Sequence, residues 1–361
     1  MTPQDIAAAR LYNQRIETSE LSSVKELVAR MGAIQAQDFA MATLAIGLRL
    51  TDATHTTVET AFNAGEIVRA HLMRPTWHIV AADDLHWMLK LTAPRIKSSL
   101  TSRHKQLEID ADILRKANTI IEQALLKERY LTREELDKRF TKGGIKTTDN
   151  RLYHLLFCAE IEGLVCSGPL ANGKQTYALL PERVPLVREL SYEESLAELA
   201  GRYFTSHGPA TLQDFVWWSG LSLTQTRLAL ELIKTDLVSV TAGAETYWMG
   251  NAPTNPKPGE NSIHLLPAYD EYLISYKDRS ASLMQVDNQK VVSSNGIFRP
   301  VVVINGQVSG LWKRSQTKNH TTVDVTLFQS HDEVMQEKIK ASAAMFDVLL
   351  GKNTRLLLSG Q

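Results

Sequence analysis

Apolar residues recur at helical spacing through 110–128, where Ile113, Leu114, Ile120, Ile121, Ala124 and Leu125 share one face. "YLTREELDKRF" follows, with Thr132 placed as an N-cap and Glu135 three residues on, a capping box that opens a second helix. "TTDNRLYHLLFCAEIEGLVCSG" predicts a third helix ending near Gly163. "LVCSG" and "QTYALL" flank the turn-rich "PLANGK" and read as a β-hairpin.

Three helices and then a hairpin is the order of a winged helix-turn-helix unit. The order recurs in "SYEESLAELAGRYFTSH", "GPATLQDFVWWSG" with Thr211 as cap, "LSLTQTRLALELIKTD", and a hairpin around Gly243. The period is roughly 80 residues, longer than solenoid repeats, so the pattern predicts duplicated domains. The first 95 residues fit more loosely. "TPQDIAAARLYNQ", "SSVKELVARMG" and "TTVETAFNAGEI" read as helices, "IVRAHLMRPTWHIV" as a strand pair, and "ADDLHWMLKLT" as another helix.

Beyond residue 261 the texture turns β-rich in "NSIHLLPAYDEYLISY", "IFRPVVVINGQVSGLWKRSQ" and "TTVDVTLFQ", with Asn305-Gly306 as a hairpin turn. "HDEVMQEKIKASAAMFDVLLG" reads as one amphipathic helix packed on that sheet. "NAPTNPKPGEN" at 251–261, with three prolines, is the expected linker. The predicted fold is α+β: three tandem winged helix-turn-helix units at 1–110, 111–188 and 189–250, then a small antiparallel β-barrel or curled sheet with a C-terminal helix at 261–361.

Composition narrows the function classes. In 361 residues the 40 basic and 40 acidic side chains balance, which excludes a histone-like polybasic binder but not local patches. No apolar run approaches the ~20 residues of a membrane-spanning helix, and the N-terminus lacks a signal-peptide core. Cys158 and Cys166 stand without a CxxC or Cys/His cluster, so no metal site or disulfide framework is expected. They read as reduced core thiols of a cytoplasmic protein.

"RMGAIQAQDFAMA" holds the most specific chemistry. On a helix, a spacing of two separates side chains by about 200°, whereas on an extended segment they point the same way. Residues 33–38 are therefore expected to be extended, with Ile34 and Ala36 in the core and the amides of Gln35 and Gln37 facing one cavity. A helix here would defeat a catalytic reading. The bland alternative is a pair of amides bonded to backbone or water. Alternation points Asp38 away from the amides, which ranks it low as a base.

A second alternation, in "HLMRPTWHIV", sets Arg74, Thr76 and His78 on one face, a composition suited to a phosphate or a base edge. Its bland counterpart is an edge strand with a solvated face, a place Pro75 suits.

With these residues in hand, the chain resembles the winged-helix DNA glycosylase family typified by AlkZ, which also contains YcaQ-like members. "MGAIQAQDF", "RPTWHIV", "LLPAYDEYLISYKDR" and "VVVINGQVSGLWKR" match in the family's order across essentially the whole chain. The resemblance implies tandem winged helices and a barrel around a concave DNA channel, in a monomer that needs no cofactor and no obligate protein partner. It implies that Gln35-Ala36-Gln37 is the catalytic Gln-apolar-Gln element, with alanine a small middle residue. YcaQ-like relatives carry an acid at the second position, where this chain keeps Gln37.

The expected reaction is hydrolysis of the N-glycosidic bond of N7-alkylated purines in double-stranded DNA, including bulky adducts or interstrand crosslinks. Such a base is already cationic, so two amides that hold a water below C1′ would suffice. No lyase lysine stands out, which predicts a monofunctional enzyme. Candidate substrate and DNA contacts are Arg74, Thr76, His78, Asp270, Tyr272, Arg279, Trp312, Lys313 and Arg314, with Arg95, Lys97, Arg103 and Lys318 as further phosphate partners. Trp312 is placed as a wedge or stacking residue. Arg279 is assigned to a phosphate or to Asp270, and Asp270-Glu271-Tyr272 either to substrate or to a network tying barrel to winged helix. Trp217 and Trp218 are assigned to the core, and His207 to a helix C-cap.

The main alternative is a non-enzymatic winged-helix DNA-binding regulator, against which the recognition helices weigh by their few Arg and Lys residues. A further alternative is a module whose winged helices bind protein.

Overall fold

The computed structural model describes residues 1–54, 56–251, 262–316, 320–343, 345–351 and 353–359. The expected linker lies, apart from Asn251, outside the described residues, and so does Lys318.

After an N-terminal helix, α1 (Pro3–Asn13), one element order occurs three times. The first instance runs α2 (Val24–Met31), β1 (Ile34–Gln35), α3 (Phe39–Gly47), α4 (Thr57–Ala64), β2 (Ile67–Leu72) and β3 (Thr76–Ala81), in an antiparallel sheet of order β1-β3-β2. A long helix, α5 (Leu85–Gln106), leads to the second. That instance comprises α6 (Ala111–Glu128), β4 (Leu131–Thr132), α7 (Arg133–Lys142), α8 (Arg151–Ile161), β5 (Val165–Ser167) and β6 (Thr176–Leu179), with order β4-β6-β5. A short α9 (Leu180–Arg183) joins it to α10 (Tyr192–His207), α11 (Leu212–Ser219), α12 (Leu223–Ile233), β7 (Leu237–Ala242) and β8 (Glu245–Gly250). There the lone first strand shrinks to a bridge between Ala210 and Trp248.

The caps are where the sequence puts them. Thr132 and Glu135 close a capping box on α7, and Thr211 with Asp214 does the same on α11. Helix α3 was not anticipated, because "FAMATLAIG" is apolar on nearly every side and shows no amphipathic period. It is buried from two directions: Ala42 and Ile46 enter the core of the first instance, while Leu44 enters that of the C-terminal sheet.

The C-terminal region holds β9 (Ile263–Leu266), α13 (Glu271–Ile274), α14 (Asn288–Val291), β10 (Val301–Ile304), β11 (Gln307–Gln316) and β12 (His320–Leu327). It ends with α15 (Glu333–Ala343), α16 (Met345–Leu350) and β13 (Asn353–Ser359). Asn305 and Gly306 both take positive φ, at 51° and 81°, and turn β10 into β11 as a two-residue hairpin. The sheet order is β13-β12-β11-β10-β9, and β12 pairs with β13 in parallel. The expected small antiparallel barrel or curled sheet is thus a mixed five-stranded half-barrel. "YDEYLISY", expected as strand, forms α13 instead, because Asp270 caps it through the N–H of Tyr272.

Both faces of the half-barrel are buried, which is why "VVVI" is apolar without alternation. One face carries Leu266, Val301 and Val303 against Leu11 and Ile16, so α1 serves the C-terminal sheet. The other carries Leu265, Val302 and Trp312 against Ile339 of α15 and Phe346 of α16.

Candidate active site

The Gln-Ala-Gln segment leaves α2 through Gly32, whose φ is +77°, and pairs with β3 in the register Ile34↔Ile79, Gln35↔His78. Its backbone is pinned by three residues. The N–H of Gln35 donates to Glu271 Oε1 at 2.6 Å, and that of Ala36 to Trp77 O at 2.7 Å. Arg69 donates from Nε and Nη2 to the Ala36 carbonyl at 3.0 and 2.8 Å, and from Nη2 to the Gln37 carbonyl at 3.4 Å. Its guanidinium rests 4.1 Å from the Trp77 ring. Asp38 then caps α3 by accepting from the N–H of Met41.

Alternation holds at first: Ile34 and Ala36 point into the core and Gln35 to the opposite side. The extended run is shorter than expected, however, because Asp38 must start α3 and the chain bends at 37–38. Gln35 is only 6% exposed, whereas Gln37 stands on the open surface.

The Gln35 side chain is fixed by Arg74, whose Nη2 donates to Oε1 at 2.7 Å. That bond assigns the orientation of the amide. Arg74 is not on a strand as expected, since Met73, with φ +53°, and Pro75 turn the chain between β2 and β3. Thr76 and His78 lie on β3, the middle strand of the sheet rather than an edge.

His78 is buried, and its Nδ1–H donates to Thr76 O at 2.9 Å, which leaves Nε2 a lone pair without a partner. Thr76 Oγ1 is likewise unpartnered. Burial, then the Arg74 charge, push the His78 imidazole down to about 3, so it is neutral at physiological pH.

Glu271 is the buried anion beneath this cluster. Its carboxylate accepts from Gln35 N–H, Trp218 Nε1–H at 3.2 Å and the Ser275 hydroxyl, with His207 Nε2 3.6 Å away. Burial opposes its charge, but these contacts outweigh burial and hold the carboxyl at about 2. His207 is the last residue of α10, as expected, and is fully buried. Its imidazole is pushed down by burial.

Neighbouring positions are structural. Arg49 grips both oxygens of Asp270 at 2.9 and 2.7 Å and also donates to Gln14 Oε1, while Gln14 Nε2 donates to Tyr276 Oη. Asp270, expected at substrate, is therefore consumed by Arg49 and the α13 cap, and its proposed pairing with Arg279 is replaced. Arg279 donates instead to Leu273 O at 3.0 Å. Tyr272 is corrected too: it is fully buried, its hydroxyl donating to Gly306 O at 2.7 Å. Trp312 is no wedge, since it is 2% exposed and donates from Nε1 to Leu266 O.

Other cations stay on the surface. Lys313 is exposed and 3.4 Å from Asp324, and Arg314 borders a hollow of about 230 Å³ with Phe39, Ala40 and Thr43 of α3. Arg95, Lys97 and Arg103 are exposed on α5. A larger cleft of about 640 Å³, lined by Arg30, Arg188 and Arg202, includes neither glutamine.

The sequence profile of the family described as DNA glycosylase AlkZ-like matches residues 28–346. The chain belongs to this AlkZ-like DNA glycosylase family. An interstrand DNA cross-link repair glycosylase from Streptomyces sahachiroi is 24% identical over 331 residues, 86% of this chain and 87% of the relative. The solved structure of Streptomyces sahachiroi DNA glycosylase AlkZ superposes with a TM-score of 0.80 at 22% identity, over 99% of this chain and 100% of that one.

The protein is a monofunctional DNA glycosylase, and its site has a clear chemical limit. Of the groups around Gln35, His78 is neutral, Glu271 is ionised and saturated with donors, and Asp270 is locked to Arg49. Neither His78 nor Glu271 is a general acid at neutral pH. Among the described residues no group of three or more His, Cys, Asp or Glu is placed to hold a metal, and no helix is long and apolar enough to cross a membrane. Cys158 and Cys166 are free and buried, and burial pushes both thiols up to about 12.

Sequence reasoning missed the roles of Arg49, Arg69 and Trp217; Glu271 takes the network role that the sequence left open for Asp270-Glu271-Tyr272. Only Trp217 left a signal. Adjacent helical residues point about 100° apart, so the two tryptophans of α11 face different directions. Trp218 is buried and Trp217 is not.

Proposed function

We propose that this glycosylase hydrolyses the N-glycosidic bond of N7-alkylated purines in double-stranded DNA, with a water oriented by Gln35 and Gln37. The observation that carries the reading is that neither buried group titrated beside Gln35, neutral His78 nor ionised Glu271, can protonate a leaving base at neutral pH. An ordinary purine must be protonated to leave, but an N7-alkylated one carries its positive charge already and departs neutral. Such a site suits only the second kind.

The amides then do what remains. Arg74 uses one lone pair of the Gln35 carbonyl and polarises it, leaving the other for water. Gln37, free on the surface two residues on, supplies the second acceptor. A water so held below C1′ attacks as positive charge develops on the sugar, and fixed carbonyl dipoles favour that charge. The buried carboxylate of Glu271 adds negative potential on the same side. A basic lining of Arg314, Lys313, Arg95, Lys97 and Arg103 would take phosphates. The three helix–hairpin runs are read as winged-helix units that shape the channel. The name of the Streptomyces relative, an interstrand DNA cross-link repair glycosylase, extends the proposed substrate class to interstrand crosslinks.

A base-release assay tests this on duplexes carrying N7-methylguanine, a bulkier N7 adduct or an N7-linked crosslink. The Gln35→Ala, Gln37→Ala double variant should lose nearly all release while still binding DNA. Wild-type-like release by that variant overturns the glutamine mechanism. Sequence-selective duplex binding without release from any alkylated substrate would favour a regulator.

A further inference from the structure

Beside the Arg74–Gln35 bond lie Trp217 and Arg279, which no step above uses. Trp217, on the last turn of α11, is 39% exposed. Its Nε1–H donates to Ile274 O at 2.8 Å, which fixes the plane of the ring. Two guanidiniums flank it, Arg74 at 5.6 Å and Arg279 at 5.4 Å from the ring centroid.

Arg279 is held by Leu273 O through Nε and lies 4.9 Å from the Phe298 ring, yet its Nη2 has no acceptor. Arg74 Nε has none either. Burial depresses Arg279 to about 10, opposed by the Asp214 charge and furthered by that of Arg74. Arg74 also bonds Gln35, so a single guanidinium separates the exposed indole from the catalytic amide.

An aromatic face beside unfilled guanidinium donors is the chemistry of a nucleotide: a base that stacks and a phosphate that takes the charge. The place is held open by Gly220, with φ +69°, just after α11. A Cβ there would lie 3.1 Å from Arg74 N and from the Met73 carbonyl, so glycine lets the end of α11 reach the β2–β3 turn.

We propose that Trp217 is the stacking platform for a base of the damaged duplex at this site, with Arg279 binding a phosphate of the same strand. The assignment rests on the glycosylase reading and deepens it by naming the contact that seats the nucleotide over Gln35. A stacked base takes the place of the Arg279 guanidinium beside the indole. The phosphate draws Arg279 away, while Arg74 stays on Gln35.

The test uses the full chain and three 20-base-pair duplexes: undamaged, containing a tetrahydrofuran abasic analogue, and containing N7-methylguanine. Tryptophan emission should be quenched on binding, and Trp217→Phe should remove most of that quench while retaining most of the affinity. Trp217→Ala should weaken binding to the damaged duplexes by roughly 5- to 100-fold. Arg279→Gln should reduce the slope of log K against log salt by about one. Unchanged affinity and quench in the Trp217 variants overturn the platform, and an unchanged salt slope in Arg279→Gln overturns the phosphate contact. Should Trp217→Ala misfold, Trp217→Phe carries the quench test by itself. A Trp217-dependent quench without base release from the methylated duplex would sink the glycosylase reading and leave the platform standing. Full release by folded Trp217→Ala at unchanged kcat/KM would do the reverse.

Discussion

The backbone N–H of Gln35 donates to Glu271 Oε1 at 2.6 Å, across 236 residues of chain. The bond makes the Gln-Ala-Gln strand depend on the start of a four-residue helix in the C-terminal region. The same carboxylate takes Trp218 from α11, so three separate parts of the chain meet at one acid. Around it, Arg49, Asp270, Gln14 and Tyr276 form a second layer that ties α1 and the residues after α3 to α13.

Replacing that acid should damage catalysis more than binding. In Glu271→Gln one oxygen becomes an amide N–H that faces the Trp218 and Ser275 donors, and the buried charge is lost. The expected result is a fall in single-turnover base release of roughly 10- to 100-fold, the scale of a small misplacement in a catalytic site, with KM changed little. A KM effect with kcat intact would contradict a role in positioning Gln35.

Arg69 makes a parallel prediction from the other side of the motif. Arg69→Met keeps the stem over Trp77 but removes the donors to the Ala36 and Gln37 carbonyls. Those acceptors lose their partner and Gln37 loses its anchor. Release should drop at least tenfold and the protein should lose roughly 1–3 kcal/mol in urea unfolding.

The Arg49–Asp270 pair is fully buried, so breaking it strands a charge. Asp270→Asn should cost roughly 3–5 kcal/mol. Arg49→Met combined with Asp270→Asn should recover part of that loss, because no unpaired charge remains. Urea unfolding of the single and double variants measures both quantities.

Acid should destabilise the fold from a higher pH than carboxylates alone would give. His78 titrates at about 3 when folded against 6.5 as an ordinary side chain, so the unfolded chain binds the extra proton between those values. Its contribution is complete above about pH 6.5 and is lost as pH falls toward 3. Glu271, at about 2 against 4.5, acts in the same direction from about pH 4.5 down. The Tm should fall steadily below pH 6.5, and His78→Gln should flatten the upper part of that fall.

Gly220→Ala places a methyl group 3.1 Å from Arg74 N at a φ of +69°. The strain costs roughly 1 kcal/mol or more, and relief requires the β2–β3 turn to move and take Arg74 with it. Base release should fall with DNA affinity, measured together on the N7-methylguanine duplex.

Much of the architecture was legible because it rests on local rules. The capping boxes of α7 and α11 need only residues three apart, and the hairpin at Asn305-Gly306 needs only two residues that tolerate positive φ. Helix α3 and strand β13 were not legible. The first is apolar all round because two cores cover it, and the second pairs in parallel with β12 from beyond α16.

For the site, the sequence by itself determined the glutamine spacing, the inward face of Ile34 and Ala36, and the cations at Arg74 and Arg279, since alternation and residue type are properties of short segments. Tertiary structure alone decided that Asp270, Tyr272 and Trp312 serve the core, that Glu271 carries the Gln35 backbone, and that Trp217 rather than Trp312 is the exposed indole. The physical reason is that burial and hydrogen-bond partners are set by segments hundreds of residues apart. A polar side chain becomes structural or available according to whether a distant donor has already claimed it.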